Sequence, residues 1–148
     1  MKAINRLKLA VLIILLIIIP ANAKQDVKAD VIAVLASNTN FSVTIKSDET
    51  GCAQYANWWE VLDKNGKLIY RRILFHSHPE EQPFTRSGGP VRILNNEKVY
   101  IRAHMNNVGY SGSVFVGSLI NGFKKIKNPP IFSKSIEKQN PQPGKCWF

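Results

Sequence analysis

Hydrophobic and polar residues alternate over short stretches along most of the chain, and few stretches show helical spacing. Residues 41–46 and 98–105 place apolar side chains at every second position. Alternation of this kind is typical of strands that bury one face. Two further stretches, 55–62 and 67–75, flank Asn65-Gly66, a dipeptide typical of a tight hairpin turn. We therefore expect an all-β protein in which these two stretches pair.

Predicted strands recur about every ten residues, which favours an antiparallel β-sandwich of about seven or eight strands. The segment 99–112, VYIRAHMNNVGYSG, resembles the penultimate hairpin of fibronectin type III and immunoglobulin-like domains. That resemblance implies an immunoglobulin-like or fibronectin III-like sandwich and carries no activity with it. The longer segment 51–90 resembles a family of small exported bacterial proteins with no assigned function.

The start of the chain has the pattern of an export signal. Three basic residues precede an apolar run over 9–19, and small residues follow at 20–23. This predicts a signal peptide over 1–23 and an exported protein, either periplasmic or extracellular. The apolar run is shorter than the about 20 residues that span a membrane, so we expect no transmembrane segment after cleavage. No cysteine lies near the cleavage position, so we expect no lipid there.

The rest of the chain divides into a β-sandwich domain, 24–122, and a basic, proline-containing C-terminal tail, 123–148. Without the three basic residues of the signal peptide, the formal net charge falls from +10 to +7. Residues 121–148 contain six lysines and a single glutamate. Such a tail could meet anionic partners, or it could only be solvated. No nucleic-acid-binding motif accompanies it, so we expect no nucleic-acid partner.

Two cysteines, Cys52 and Cys146, remain after export. In an oxidising compartment an even count favours pairing. The Cys-x-x-Cys spacing of redox and metal sites is missing. We therefore expect a disulfide that ties the C-terminal tail back onto the sandwich.

Two of the three histidines lie in FHSHPEEQPFTRSGGP, residues 75–90. On an extended strand His76 and His78 point to one side, about 7 Å apart at Cα. Together with His104 they could hold Zn²⁺ or Cu²⁺, like the His-x-His pair of carbonic anhydrases. In an immunoglobulin-like sheet order, however, the strands that carry them end one strand apart, about 9–10 Å. The other interpretation is a solvated rim without any cofactor, so we leave both open.

The His-Ser-His-Pro sequence also resembles the metal-binding motif of JAMM-type zinc isopeptidases. The interval from Pro79 to Ser87 is one residue longer than in that family, and Pro90 stands where the family has an aspartate. The family also uses an α/β scaffold, whereas this chain has an all-β pattern. The resemblance therefore predicts no isopeptidase activity.

Alternation in the central strands predicts which side chains face outwards. We expect Trp59 and Val61 in the core, and we expect Ile69, Ile73 and Phe75 to face it, which places Arg71 on the inner side. The opposite register would place Arg72 there instead. This register predicts an exposed face of aromatic, arginine and glutamate side chains: Trp58, Glu60, Tyr70, Arg72, Tyr100 and Arg102. Such a face is either a self-paired ladder or a binding surface for protein, peptide or glycan.

These features favour an exported, non-catalytic binding or accessory module. No Gly-x-Ser-x-Gly elbow supports a nucleophile. The alternative is a metal-binding protein, or a metalloenzyme, that uses the three histidines.

Overall fold

A computed structural model describes residues 26–147, and the predicted signal peptide, 1–23, lies outside them. The described residues form eight strands and one 3-10 helix. They are β1 (Ala29–Ser37), β2 (Asn40–Ser47), β3 (Ala56–Leu62), β4 (Leu68–Ile73), β5 (Phe84–Gly88), β6 (Val99–Met105), β7 (Val114–Ser118), β8 (Gly122–Ile126) and η1 (Lys134–Lys138). Over residues 26–147, no helix reaches the length and apolarity needed to cross a membrane.

The strands form two antiparallel sheets, which confirms the prediction of an all-β sandwich. One sheet has the order β1-β2-β5 and the other the order β4-β3-β6-β7-β8. The expected hairpin joins β3 to β4, and Gly66 in its turn has a φ of 81°, which glycine adopts at little cost. Strand β3 pairs with both β4 and β6, so these two strands lie one strand apart, as expected for the strands that lead to the histidines. The finer assignment to immunoglobulin-like or fibronectin III-like domains stays a prediction.

The core lies between the two sheets and contains the side chains that the alternating pattern selected. Phe41, Val43 and Ile45 of β2 meet Trp59 and Val61 of β3 there, together with the alternate residues of β6. Removing such side chains from water contributes about 25 cal/mol per Å² of apolar surface. The inward faces predicted for β2, β3 and β6 are confirmed.

The histidine-containing segment, residues 75–90, contains strand β5. This strand pairs with β2, so that Thr85 lies opposite Thr44 and Ser87 opposite Ser42. The two hydroxyl pairs are 2.8 and 2.7 Å apart, while Phe84 points into the core. Strand β5 has only five residues and is half polar, so the sequence pattern alone does not predict it.

From Tyr70 onwards, strand β4 has the opposite register to the expected one, whereas Ile69 packs against the core as predicted. Arg71 lies across from Glu60, and Ile73 lies across from Trp58, so both face away from the core because directly paired residues share a face. Tyr70 is on the inner side, with its ring 5.5 Å from that of Trp59. Arg72 is on the same side and donates to the Ser87 carbonyl at 3.0 Å. Each arginine is therefore bound by a residue of another strand, Arg71 by Glu60 and Arg72 by Ser87.

The C-terminal segment, residues 127–147, forms a third layer on the outer face of the five-stranded sheet. Ile136 and Phe132 pack there against Leu62, Tyr100 and their neighbours in a second apolar cluster. The predicted disulfide between Cys52 and Cys146 is confirmed and closes this layer. Strand β8 precedes it and extends the sheet beyond residue 122, where the sequence pattern ended the sandwich.

Gly112 allows the loop before β7 to touch β1. A Cβ atom at this position would lie 1.8 Å from the Ala29 carbonyl oxygen. We expect Gly112→Ala to lower the free energy of unfolding by about 1–3 kcal/mol, because the two backbones must separate. Gly144→Ala is the matched control, since a Cβ there meets no atom within 4 Å. Equal urea midpoints for the two variants would contradict this expectation.

Candidate functional site

A buried cluster of charges lies between the five-stranded sheet and the C-terminal segment. The Glu60 side chain is fully buried and accepts hydrogen bonds from Arg71 Nε at 2.9 Å and Nη2 at 2.7 Å. Its other oxygen accepts from Arg102 Nε at 2.9 Å, and Arg102 Nη2 lies equally close. One carboxylate therefore compensates two guanidinium groups, of which Arg71 is fully buried and Arg102 is nearly so.

Arg71 also anchors the C-terminal segment. Its Nη groups donate to the carbonyl oxygens of Ile136 at 2.8 Å, Gln139 at 2.6 Å and Pro141 at 3.2 Å. Hydrogen bonds from a charged donor are about twice as strong as neutral ones. Since Arg71 is held by Glu60, the position of the segment depends on the charge cluster beneath it.

Aromatic rings pack against the guanidinium groups of this cluster. The Trp58 ring lies between the His104 ring, 3.7 Å away and nearly parallel, and the Arg71 guanidinium, 4.4 Å away. Arg102 lies over the Tyr110 ring at 3.4 Å. Trp58 Nε1 donates to the Tyr110 hydroxyl at 3.3 Å. Both faces of the Trp58 ring are therefore occupied by the protein itself.

An open cleft of about 470 Å³ lies beside this layer, and we call it the His104 cleft. It runs between the β6–β7 connection and the C-terminal segment. Its lining combines rings, amides and charged side chains: Asn57, Trp58, His104, Asn106, Asn107, Val108, Gly109, Lys134, Glu137, Gln142 and Pro143. At the β7–β8 turn lies a hollow of about 450 Å³, and among the described residues that line it only Lys98 and Lys124 are titratable.

The His104 imidazole is held in one tautomer. Its Nδ1 lies 2.7 Å from Asn57 Oδ1, and an amide oxygen only accepts, so Nδ1 carries the proton. The other nitrogen, Nε2, lies 3.7 Å from Glu137 Oε1. Burial, assisted by the charges of Arg71 and Arg102, lowers the pKa of His104 from 6.5 to about 3. The ring is therefore neutral near pH 7, and Nε2 is an acceptor.

This lowered pKa predicts a pH dependence of stability. Between about pH 6.5 and 3 the unfolded chain binds the His104 proton and the folded protein does not, so stability falls as the pH falls. The slope reaches about 1.4 kcal/mol per pH unit. We expect His104→Gln to flatten the curve of unfolding free energy against pH, measured in urea from pH 7 to 4. The control His76→Gln changes an exposed imidazole and should not flatten this curve. Equal slopes for the natural protein and both variants would refute the assignment of this pH dependence to His104.

The other two histidines lie in a different environment. The rings of His76 and His78 are 4.3 Å apart, and His78 stacks on Phe84 at 4.2 Å. Burial lowers the pKa of His78, and the nearby Arg86 acts in the same direction. The buried Glu49 carboxylate accepts from Ser77 and from the His78 backbone. Over residues 26–147, no group of three or more His, Cys, Asp or Glu is placed to hold a metal ion.

The six residues of the predicted binding face are not brought together on an exposed surface. Trp58, Glu60, Tyr100 and Arg102 share the outer side of the sheet, but the C-terminal layer buries them to 7% exposure or less. Tyr70 and Arg72 lie on the opposite side because of the register of β4. The prediction that Trp58, Glu60, Tyr100 and Arg102 are exposed is therefore wrong. A role of the six residues in binding stays a prediction.

Among the residues that line the cleft, sequence reasoning missed Asn57, Lys134 and Glu137. The last two lie in η1, within the segment interpreted as a basic, proline-containing tail. One signal could have found them: a Cys52–Cys146 disulfide forces the residues before Cys146 to cross the domain. Ser133, whose side chain caps η1 by accepting from Ser135 N, is a second signal.

Comparison with known proteins gives one partial similarity. A protein of Halomicrobium mukohataei described as "Putative lipoprotein" is 38% identical over 76 residues, which make up 51% of this chain. The matched region covers 37% of that protein, so the chain spans little more than a third of its relative's length. No family model matches the chain, and no solved structure matches it.

Proposed function

We propose that this protein is an exported, non-catalytic binding module that holds its ligand in the His104 cleft. Export is supported by the predicted signal peptide over 1–23, by the Cys52–Cys146 disulfide, which suits an oxidising compartment, and by the name of the lipoprotein relative. The observation that carries the binding role is the fixed His104 ring, whose acceptor nitrogen lines the cleft beside Glu137.

The cleft is supported by groups that are already ordered. His104 is held by Asn57 and by the Trp58 ring, and that ring rests on Arg71. Arg71 is in turn bound to the buried Glu60. Binding to a surface whose side chains are immobilised costs little additional conformational entropy. A rigid floor of this kind is what a ligand site needs.

The chemistry of the cleft supports binding rather than catalysis. An imidazole with a pKa of about 3 is a weak base near pH 7, and efficient general bases have a pKa close to the working pH. Among the residues that line the cleft in the described part of the chain, none is a serine, threonine or cysteine. The usual hydroxyl and thiol nucleophiles are therefore missing from this lining.

Ligand-observed NMR against a mixed library of saccharides, short peptides, amino acids and nucleotides tests the proposal. We expect at least one compound to bind the natural protein. Binding should be lost in the double variant Glu137→Gln, Asn107→Ala and kept in the matched control Glu80→Gln, Asn65→Ala, whose positions lie outside the cleft. A library without any ligand, or ligands that both variants retain equally, would sink the proposal.

Metal binding by His76, His78 and His104 has less support. The closeness of the His76 and His78 rings favours it, but His104 is engaged with Trp58 and Asn57. We expect protein purified without chelator or histidine tag to carry less than stoichiometric zinc and copper by mass spectrometry of its metals. One bound ion per chain that disappears in His78→Ala would instead support the metal-binding function.

A further inference from the structure

We propose that the His104 cleft binds a neutral saccharide, whose neighbouring hydroxyls donate to His104 Nε2 and to the Glu137 carboxylate. This inference rests on the proposed binding function and names its ligand class. It follows from three properties of the described residues: the excess of acceptors in the cleft, the charge around them and the apolar rim.

The first property is a pair of acceptors that face each other. His104 Nε2 and Glu137 Oε1 are 3.7 Å apart, which is beyond hydrogen-bond distance, so neither atom satisfies the other. A donor must satisfy each of them. Two neighbouring hydroxyls of a sugar ring supply two donors side by side, which matches two acceptors at this separation.

The amides of the cleft add to the excess of acceptors. Asn107 Nδ2 donates to Gln54 Oε1 at 3.0 Å, and Gln142 Nε2 donates to the carbonyls of Glu137 and Gln139 at 2.7 and 2.6 Å. In the contacts of the described residues, the side-chain oxygens of Asn107 and Gln142 receive no hydrogen bond. These two amide groups therefore donate within the protein and leave their oxygens to accept from a ligand. A compound with many hydroxyl groups can donate hydrogen bonds to these oxygens.

The surrounding charge selects a neutral donor over a cation. Arg71, Arg102 and Lys134 stand against the two carboxylates of Glu60 and Glu137, which leaves a formal surplus of one positive charge. Burial, together with the charges of the same guanidinium groups, keeps His104 itself from taking up a proton. An ammonium or guanidinium group beside Nε2 would meet the same repulsion. A hydroxyl donates without adding charge.

The rim provides an apolar contact for the ring of such a ligand. Val108 is half exposed, and Pro143 lines the opposite side of the cleft. The carbon-bound hydrogens of a sugar can pack on these side chains. Trp58 is not available for stacking, because His104 and Arg71 cover its two faces. A dissociation constant in the millimolar range is therefore the expectation for a single sugar.

The test is a titration of ¹⁵N-labelled full chain, prepared with its disulfide, followed by heteronuclear NMR. The probes are the methyl glycosides of glucose, galactose, mannose and N-acetylglucosamine. Butylammonium and an uncharged tripeptide amide serve as rival donors. We expect at least one glycoside to shift the His104 ring nitrogens and the amides of 106–109, and its fully O-methylated form to have no effect. Neither rival should do so.

Variants make the outcome specific. Glu137→Gln, at a partly exposed position that tolerates the change, should weaken the glycoside about tenfold, the usual effect of losing a charged acceptor. Glu80→Gln is the matched control and should bind as the natural protein does. Binding of butylammonium or the tripeptide without any glycoside would overturn the saccharide inference and keep the binding function. If no probe and no library compound bound, both would fail.

Discussion

Glu60→Ala should lower the free energy of unfolding by about 3–5 kcal/mol, the loss typical of breaking a buried ion pair by removing one partner. The fully buried carboxylate accepts from both Arg71 and Arg102. Its loss leaves two guanidinium groups without compensation beneath the C-terminal layer. Urea unfolding followed by tryptophan fluorescence measures the change, since Trp58 rests on this cluster.

Companion variants separate the charge effect from loss of packing. Glu60→Gln keeps one acceptor oxygen and should cost less than Glu60→Ala. Adding Arg102→Met to Glu60→Ala should recover part of the loss, because it removes one of the two uncompensated charges. Glu80→Ala, at an exposed position, should change stability by less than about 0.5 kcal/mol. A loss at Glu60 no larger than at Glu80 would contradict the role of this carboxylate.

Replacing both Cys52 and Cys146 by serine should destabilise the protein by about 4–5 kcal/mol. The two cysteines are 94 residues apart, and the chain-entropy model assigns a loss of this size to opening so long a loop. Removal also frees the end of the C-terminal segment, which Arg71 and the second apolar cluster would then hold alone. Urea unfolding of the double variant and of the natural protein gives the difference.

A second measurement shows where the disulfide acts. Hydrogen exchange should rise most for the backbone amides of Gln139 and Trp147, which donate to the carbonyls of Ile136 and Phe75. The natural protein under reducing conditions should behave like the double variant. A difference below about 1 kcal/mol would mean that the contacts of the segment suffice without the covalent link.

Local pattern predicted the faces of β2, β3 and β6 correctly because each of these strands buries one side against a dense core. It failed for β4, where Arg71 and Arg72 are adjacent and either could face outwards. The choice depends on Glu60 opposite one and Ser87 opposite the other. Neither partner can be recognised from the sequence of β4.

The candidate site was harder to predict for the same reason. The sequence indicates His104 as a candidate metal ligand. The groups next to its ring are Asn57 on β3 and Glu137 on η1, which the sequence does not place beside it. The sequence also indicates the aromatic and arginine residues of the central strands, but as an exposed face. Their burial follows from the layer that the C-terminal segment forms over them, and no property of the strands themselves indicates such a cover.

By itself the sequence determined the all-β class, the β3–β4 hairpin and the pairing of the two cysteines, because these depend on side-chain period, turn chemistry and an even cysteine count. Only the tertiary structure decided the register of β4, the existence of β5 and the cover over Glu60 and Arg102. It also decided that Glu137 meets His104. Each of these depends on contacts between residues far apart in the chain, whose energies no local pattern contains.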